Sequence, residues 1–528
     1  MKYAIFAFFW ISFSVFGQDP SMYTLRFEPI SIEGMIGVQS FSYAKNGDEI
    51  LIIGGRLDGL HQRMPGVSFD AAGHNDQLIV VNLATKTVWK TPVASCSLPL
   101  TEQLKATNHC FTQKGDTVLL IGGYGISTAV DDHATFASAL RFSVSNTIAA
   151  IKNNSVSDAL FQREVSDSFA VCGGQLHYIN DVYYLVGGHR FDGRYNPRNG
   201  PSFTQTYTSA VRRFKWISGR PAFLPSITNS NLLHKRDYNL VKVPQGENSY
   251  ELLALSGVFQ EDADLPFQTT TRINEAGEVR LQPNFRQFYN HYECPEIVVY
   301  DPSTKTSQLF MMGGIAQFYD TLGKIIQDNN VPFVSTLARI VVQPDGSMEE
   351  WLLAEKMPTL LGAGSAFIPN NSSFWKQNCL QWTTSMPNEL ELGVLVGGIV
   401  PDAKNVFWVN NGKESKAVPT IYRVYLTQTS QAQQRNLKAN DPLNVDILKH
   451  GKKNQYMVFF DLKTAAKVRV TYINASEEVI YTKEKKVKAG TSYWKTFLPK
   501  KNGIYRIIVQ TTAGTQINEW EQFLFIDE

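Results

Sequence analysis

The stretch VYYLVGGHRFDG, residues 182–193, is a short apolar run that ends at two consecutive glycines and continues into a polar tail. An apolar run of this length is typical of a buried β-strand, and paired glycines permit close backbone approach and positive φ at its end. Five further copies occur in the chain: ILIIGGRLDG, TVLLIGGYGIS, LLALSGVFQED, QLFMMGGIAQF and LGVLVGGIVPD. Only the fourth copy departs from the pattern, since Ser256 replaces its first glycine. The strand and its glycines therefore form a repeated structural unit.

The surroundings of the glycine pairs also repeat. Another short strand and a polar turn precede each pair, as in NHCFTQKGDTVLLIGG, and an alternating strand follows after a variable loop, as in TIYRVYLT. A unit of four strands with Gly-Gly after the second resembles the kelch repeat, whose units are blades of a β-propeller. The resemblance implies an all-β, six-bladed kelch-type propeller over residues 18–430. The lone strand MYTLRFEPI, residues 22–30, is expected to complete the sixth blade, because that repeat supplies only three strands.

The N-terminus indicates an exported protein, and the charge balance bears on its partners. Lys2 precedes a run of 14 mostly apolar residues, 3–16, which predicts a signal peptide over residues 1–17. That run falls short of the roughly 20 residues needed to span a bilayer, and no later stretch is long enough. We therefore expect a periplasmic, cell-surface or extracellular protein with no membrane-spanning segment after cleavage. The net charge of +2, with interspersed signs, argues against a nucleic-acid partner.

The pattern changes after residue 430. Residues 431–440 read as a polar linker, and the short alternating strands of residues 441–528 predict a small immunoglobulin-like β-sandwich. Within it, LPKKNGIYRIIVQTTAG resembles the last part of the C-terminal sorting domains of Bacteroidetes type IX secretion. This segment departs from them because it has no Pro-Asn-Pro opening and ends in an acidic FIDE. A sorting domain and a generic sandwich both remain open.

The five cysteines fit no zinc site, because their spacing contains no C-x-x-C pair. A bridge between Cys96 and Cys110 is one expectation for an exported protein, with Cys294 and Cys379 as a second pair. A reduced core would show the same sparse set.

The kelch resemblance also implies where a site lies. In kelch propellers the residues after the glycine pairs and those before the first strand of each blade converge on one face around the central channel. The post-glycine candidates are Arg56, Asp58, Tyr124, His189, Arg190 and Asp192, with Glu261, Asp262 and Gln317 beside them. The pre-strand candidates are His109, Arg236, Tyr238, His291 and Glu293, with Asn108, Asp167, His234, Asp237 and Tyr292. No two of these histidines stand at a local metal-ligand spacing, so neither a metal nor another cofactor is expected.

The loops after the third and fifth glycine pairs are long and rich in Tyr, Phe, Arg and Asn. Such residues suit sugar rings, and they suit a protein surface nearly as well. The first hypothesis is an exported binding protein that recognises a glycan or an envelope protein. The alternative is a carbohydrate-active enzyme, because kelch-type enzymes include a sugar mutarotase and the copper-dependent galactose oxidase. A mutarotase or epimerase needs an acid/base pair, for which Glu293 with Arg236 is the candidate, whereas the ligand set of a copper oxidase is not evident.

Overall fold

The computed structural model describes residues 23–526 except 64–65, 197–201, 247, 262, 322–323, 384, 408, 429–434, 437–443, 450–454, 463, 475–477, 498–502 and 514–515. The predicted signal peptide, Asp262 and most of the predicted linker lie outside the described residues. Among the described residues, strands far outnumber helices, which confirms the predicted all-β class. The α-helices are short and span Leu98–Leu104, Val144–Lys152 and Ser230–Leu233. Among the described residues, no helix has the length and apolar character needed to cross a membrane.

Each Gly-Gly repeat corresponds to one sheet with a four-stranded antiparallel meander, and we number the sheets 1 to 6 in chain order. Sheet 1 contains Ser42–Asn46, Glu49–Ile53, Gln77–Asn82 and Thr87–Pro92, and sheet 2 contains Cys110–Lys114, Thr117–Ile121, Ser138–Ser143 and Gln162–Val165. Sheet 3 contains Gln175–Ile179, Val182–Val186, Ala210–Ile217 and Arg220–Phe223, with Ile227–Thr228 beside its third strand, and sheet 4 contains Asn239–Pro244, Tyr250–Leu255, Thr270–Ile273 and Val279–Leu281. Sheet 5 contains Glu296–Asp301, Thr306–Met312, Thr336–Val342 and Met348–Lys356, and sheet 6 contains Ser365–Pro369, Glu389–Gly397, Ile421–Gln428 and Tyr23–Ile30.

The second strand of each sheet is apolar without alternation because both of its faces are buried. In sheet 2, Val118 and Leu120 pack in a cluster with Leu51 of sheet 1. Leu119 and Ile121 pack in a different cluster, which includes Leu185 of sheet 3. The core therefore lies between neighbouring sheets, and side chains on the two faces of one strand belong to different parts of it.

The N-terminal strand completes sheet 6. Tyr23–Ile30 runs antiparallel to Ile421–Gln428, with Tyr23 opposite Gln428 and Ile30 opposite Ile421. Tyr23 and Leu25 are buried against Phe310 and Leu426 in one cluster. The pairing covers an edge of sheet 6 that would otherwise be free to pair with another chain.

Short hairpins extend four of the loops that follow the glycine pairs. They pair Tyr124–Ser127 with Asp132–Thr135, His189–Asp192 with Thr204–Tyr207, Phe318–Thr321 with Lys324–Gln327, and Ile399–Pro401 with Ser415–Ala417. A further insertion, between the first two strands of sheet 6, contains Trp375–Lys376 and Cys379–Gln381. Its second strand runs parallel to the first strand of sheet 5, and Arg435–Asn436 pairs with the outer strand of that sheet.

The C-terminal region contains two sheets that share one apolar cluster. One sheet has the strands Asn444–Lys449, Gln455–Leu462 and Gly490–Phe497, and the other has Val479–Val487, Ala466–Asn474, Gly503–Ala513 and Gln516–Ile526. Val458 and Trp494 of the first sheet pack with Val468, Tyr472 and Ile507 of the second. The two sheets are therefore packed against each other.

All five cysteines are free thiols, so the predicted bridge between Cys96 and Cys110 is wrong. Cys96 packs against the cluster between sheets 1 and 2, whereas Cys110 belongs to the cluster between sheets 2 and 3. Sheet 2 therefore separates the two thiols. Cys294 and Cys379 share one cluster but are not bonded either. Burial raises the pKa of the Cys110 and Cys379 thiols to about 12, as expected for cysteines that serve as core residues.

Candidate functional site

The loop before each sheet pairs with the residue that follows the glycine pair of the same sheet. Isolated antiparallel bridges join Gln39 to Arg56, Thr107 to Tyr124, Cys172 to His189, Arg236 to Val258 and Tyr292 to Ile315. In sheet 6 the Ile399 N–H donates to the Ala363 carbonyl at 2.8 Å. Post-glycine and pre-strand residues therefore lie side by side at one end of every sheet, which we call the glycine end.

A closed ring of backbone hydrogen bonds joins the six pre-strand loops. Its members, which we call the ring residues, are Ser40, Asn108, Gly173, Asp237, Glu293 and Gly364. Each N–H donates to the carbonyl of the preceding member at 2.8–3.2 Å, and the Ser40 N–H closes the ring on Gly364 at 2.9 Å. All six have positive φ, from 49° at Ser40 to 66° at Gly364. Gly173, Gly364, Asn108 and Asp237 suit this position because glycine, asparagine and aspartate tolerate the left-handed conformation best.

The side chains of Arg236, Asp237 and Glu293 lie together at the ring and form a charged group. Arg236, just before the ring residue Asp237, makes an ion pair with it, and the two side chains are 19% and 10% exposed. The Ser40 hydroxyl donates to Glu293 Oε1 at 3.2 Å. The Arg236 guanidinium also lies over the Phe259 ring, 5.1 Å from its centroid. Hydrogen-bond donors and acceptors thus converge on one recessed place.

Burial raises the pKa of Glu293 to about 8, and the nearby Asp237 carboxylate acts in the same direction. The Ser40 hydroxyl and Arg236 oppose this shift. Glu293 is therefore mainly protonated at neutral pH while it stays close to its titration point. A carboxyl group in that state can donate or accept a proton.

An aromatic cluster borders the charged group. It comes from loops after the glycine pairs of sheets 1 to 3 and includes stacked pairs of His61 with Phe69 at 4.7 Å and Phe191 with Phe203 at 4.5 Å between ring centroids. Tyr195 lies edge-on to His61 at 5.0 Å. The Tyr207 hydroxyl donates at 3.3 Å to the carbonyl of Val258, the residue that bridges to Arg236. The cluster therefore places flat apolar faces next to the ion pair.

Two of the predicted site residues, Arg236 and Glu293, belong to this group. Two other predicted pairs bind each other elsewhere at the glycine end. The Arg56 side chain is 1% exposed, and its Nε donates to Asp58 Oδ1 at 2.8 Å. Arg190 is 49% exposed, and its Nε lies 2.6 Å from Asp192 Oδ2. The first pair ties two residues of one loop together, and the second is a surface ion pair.

His109 and Tyr238 follow ring residues and turn away from the group. A Cβ atom added to Gly123 would lie 2.4 Å from His109 Cδ2, and one added to Gly187 would lie 3.1 Å from Tyr238 Cε1. His109 Nε2 donates to the Gln103 carbonyl at 2.8 Å, and the Tyr238 hydroxyl donates to Val186 at 2.7 Å. Burial lowers the pKa of His109 to about 4. Both side chains fill the space that the glycines leave, so their polar atoms are satisfied inside the protein.

The remaining predicted residues, Tyr124, His189 and His291, are also buried and lie outside the charged group. Tyr124 lies in the aromatic cluster, and its hydroxyl donates to the Gly193 carbonyl at 2.8 Å. His189 Nδ1 accepts from Gln205 Nε2 at 2.7 Å, and burial holds its pKa well below the usual value. His291 is fully buried, and neither of its ring nitrogens has a hydrogen-bond partner among the described residues. The candidate histidines therefore form no common pocket, and no group of three potential metal-binding side chains occurs in the described part of the chain.

Sequence reasoning did not single out Ser40, His61, Tyr195 or Tyr207. Ser40 is the first ring residue, and a comparison of the six loops at the ring position would have found it. The aromatic residues lie in loops of different length, where no repeat register places them. Only the fold brings them to Arg236.

No protein-family model and no curated protein sequence matches the chain. Among solved structures, it is similar to YjhT, with 11% identity, coverage of 77% of this chain and 100% of that one, and a TM-score of 0.41. It is also similar to a fungal alcohol oxidase of the AA5 family in complex with copper, with 9% identity, 96% and 100% coverage and a TM-score of 0.37. PorZ of the type IX secretion system of Porphyromonas gingivalis shares 10% identity, with 92% and 86% coverage and a TM-score of 0.11. Likenesses at this level carry no argument about function.

Proposed function

We propose that the six sheets are the blades of one closed kelch-type propeller, and that its glycine end binds a glycan at Arg236, Asp237 and Glu293. The ring of six backbone hydrogen bonds supports the closed arrangement, because each pre-strand loop bonds to the loops on both sides. The pairing of Tyr23–Ile30 with Ile421–Gln428 supports it as well, since the sixth sheet is completed from the other end of the chain.

The Arg236–Asp237–Glu293 group carries the binding proposal. A sugar ring presents hydroxyl groups that both donate and accept hydrogen bonds, and this group offers a guanidinium and two carboxyl groups. The aromatic cluster beside it supplies flat faces for the apolar side of the ring. Because the Arg236 and Asp237 side chains are only 19% and 10% exposed, the site favours a small group over the broad surface of an envelope protein.

A second candidate function is proton transfer on the bound sugar, as in a mutarotase or epimerase. The raised pKa of Glu293, about 8, is the observation that favours it. Anomeric exchange requires one group to accept the proton of the anomeric hydroxyl and another to protonate the ring oxygen. Glu293 would donate and Asp237 would accept, and efficient catalysis needs a pKa near the working pH.

The proposal also includes export. Residues 1–17 would be removed as a signal peptide, and the C-terminal pair of sheets would act either as a type IX sorting domain or as an ordinary sandwich. Intact-mass measurement of the protein recovered from its native host tests both points. Removal of the signal peptide leaves Gln18 first, and use of a sorting domain leaves a chain that has lost residues after about 430.

The binding proposal is tested with the purified chain on a glycan array, followed by calorimetry on the best ligand. Arg236→Met and Glu293→Leu should each weaken that ligand at least tenfold, since they remove hydrogen-bonding contacts. Arg190→Met is the matched control, because Arg190 is an exposed arginine at the same end. Equal affinities in all four proteins would contradict the proposed site.

The enzyme alternative is tested separately by NMR of anomeric exchange. Acceleration of a freshly dissolved reducing sugar by the wild-type chain, and its loss in Glu293→Gln with retained affinity, would support catalysis. Binding without acceleration would leave the chain a binding protein.

A further inference from the structure

A cavity of about 1050 Å³ runs along the first strands of all six sheets. Each sheet contributes to its lining, through residues that include Tyr43, Phe111, His177, Lys242, Ile297 and Phe367. The ring residues Asp237 and Glu293 line it too, so the ring stands at one end. This volume is comparable to that of a small-molecule binding pocket.

The depth of a side chain in the cavity follows from its distance in sequence from the ring residue of its own sheet. Side chains at equal distance contact neighbouring strands: the Tyr43 hydroxyl donates to the Phe367 carbonyl at 3.1 Å, and both residues are three positions beyond their ring residues. Gln113 Nε2 donates to the Lys45 carbonyl at 2.8 Å, and both are five positions beyond. The first strands therefore run side by side from the ring at matching levels.

We call residues that stand the same number of positions beyond their ring residue one level of the cavity. Opposite charges occupy different levels. Glu296 is three residues beyond Glu293, whereas Lys45 and Lys242 are five residues beyond Ser40 and Asp237. At about 3.3 Å per residue, the carboxyl group lies about 10 Å from the ring and the ammonium groups lie about 16 Å from it. The acidic level is thus the inner one, and the two lysines stand about 7 Å nearer the far end.

The charged groups of both levels are poorly compensated. Lys242 Nζ donates to Gln377 Oε1 at 3.0 Å and Lys45 Nζ donates to the Pro369 carbonyl, and neither joins a salt bridge among the described residues. Burial lowers the pKa of each lysine to about 8. Glu296 Oε2 accepts from Asn239 Nδ2 at 2.6 Å, and burial raises its pKa to about 7. A ligand that brings an ammonium group to Glu296 and a carboxylate to the lysines would supply the missing countercharges.

The far end of the cavity is open to solvent. Lys114 and Asp181 line the cavity there, and their side chains are 53% and 80% exposed. Trp375, from the insertion in sheet 6, adds an aromatic face at the same end. A ligand can therefore enter from the side opposite the ring without passing the proposed glycan site.

We propose that this cavity binds a short peptide-like zwitterion of two to three residues, with its ammonium group toward Glu296 and its carboxylate toward Lys45 and Lys242. The length follows from the spacing of about 7 Å between the two levels, because an extended chain spans about 3.3–3.6 Å per residue. This site lies in the same cavity but about 10 Å or more beyond the ring, and it does not depend on the proposed function.

Calorimetry on the full chain tests the proposal with triglycine, N-acetyl-triglycine and triglycine amide. Triglycine should bind, and each blocked peptide should bind at least tenfold more weakly because it lacks one terminal charge. Glu296→Gln should abolish the discrimination against the acetylated peptide, and Lys242→Met should reduce the discrimination against the amide. Lys215→Met, which changes an exposed lysine of sheet 3, is the control and should behave as wild type.

Circular dichroism and thermal melts first establish that each variant is folded. A misfolded Glu296→Gln is replaced by Glu296→Met, and a misfolded Lys242→Met is replaced by Lys45→Met at the same level. Absence of triglycine binding at millimolar concentration overturns the proposal. Equal binding of all three peptides to the wild type overturns it as well, since charge at both termini is its central requirement.

Discussion

Asp237 and Tyr238 are neighbours in the chain, yet one belongs to the candidate site and the other to the core. Asp237 is a ring residue that pairs with Arg236. Tyr238 packs against Gly187 and Gly257 and bonds Val186 through its hydroxyl. Asn108 and His109 differ in the same way in sheet 2. A shift of one residue in the pre-strand loop therefore separates a side chain at the ring from one that fills the space over the glycines.

The largest effect is expected where a glycine has no room for a side chain. A Cβ on Gly122 would lie 1.9 Å from the Val171 carbonyl oxygen, and the residue has φ +67°. Gly122→Ala should therefore lower the free energy of unfolding by about 4 kcal/mol or more, which urea denaturation measures. Gly115→Ala is the matched control, because Gly115 also has positive φ, +56°, but nothing lies within 4 Å of its added Cβ. Its cost should be only about 1–2 kcal/mol, and equal losses would refute the packing explanation.

The side chain that covers the glycines should matter nearly as much. Tyr238→Ala should lower the free energy of unfolding by about 3–4 kcal/mol, because it leaves a cavity between sheets 3 and 4. Tyr238→Phe keeps the ring and loses only the hydrogen bond to Val186, at a cost of about 1 kcal/mol. Glycan affinity of the Phe variant should match that of the wild type. A tenfold loss of affinity in this variant would place Tyr238 in the site.

At the ring residue Glu293, the contribution to the free energy of unfolding should instead depend on pH. The pKa of Glu293 is raised to about 8 in the folded chain from an ordinary value near 4.5, so the folded state holds its proton more tightly than the unfolded state. Its contribution to stability is therefore full below about pH 4.5 and is lost as the pH rises through 8.

Glu293→Gln removes the titrating group, so the variant does not lose this contribution to stability as the pH rises. Relative to wild type, the variant should gain about 1–3 kcal/mol in the free energy of unfolding between pH 5 and pH 9. Glu350 titrates in both proteins, because its pKa is also raised to about 8 by burial, and it cancels in the difference. Parallel pH profiles of the two proteins would show that Glu293 ionises normally.

The smallest effect is expected for His109→Phe. Phe41 occupies the equivalent position in sheet 1, where it packs against Gly55 and Gly397, so an aromatic ring of this kind suits the site. The variant loses the hydrogen bond to Gln103 and the 3.3 Å contact with the Ser42 hydroxyl, which should cost about 1 kcal/mol in thermal or urea unfolding. Glycan affinity should not change, and a marked loss would return His109 to the candidate site.

The sequence predicts the repeated strands well because their determinants are local. An apolar run buried on both faces and a pair of left-handed residues recur in each copy, and even Ser256 adopts φ 47° in place of glycine. The Ser256 hydroxyl donates to the Asn290 carbonyl at 2.8 Å, so the serine is satisfied in the fourth copy.

The candidate site is less predictable because it depends on register and on contacts between distant loops. The sequence identifies the pre-strand segment but does not distinguish Asp237 from Tyr238, since positive φ in the loop decides where each side chain points. The predicted bridge between Cys96 and Cys110 is wrong for a similar reason. Sequence spacing brings Cys96 and Cys110 close together, but the strand face that holds Cys110 directs its thiol to the other side of sheet 2.

The strand Tyr23–Ile30 pairs with residues 421–428, which makes it the most non-local contact of the six sheets. During synthesis at about 5–20 residues per second, this strand waits of the order of 20–80 s for its partner to emerge. Until then, the two edges that later meet in sheet 6 are both unpaired, and each can associate with another chain. High contact order of this kind slows folding and lengthens that exposed interval. Chaperone demand should therefore be concentrated at the final step, when the first strand of the chain finds the last strand of the sixth repeat.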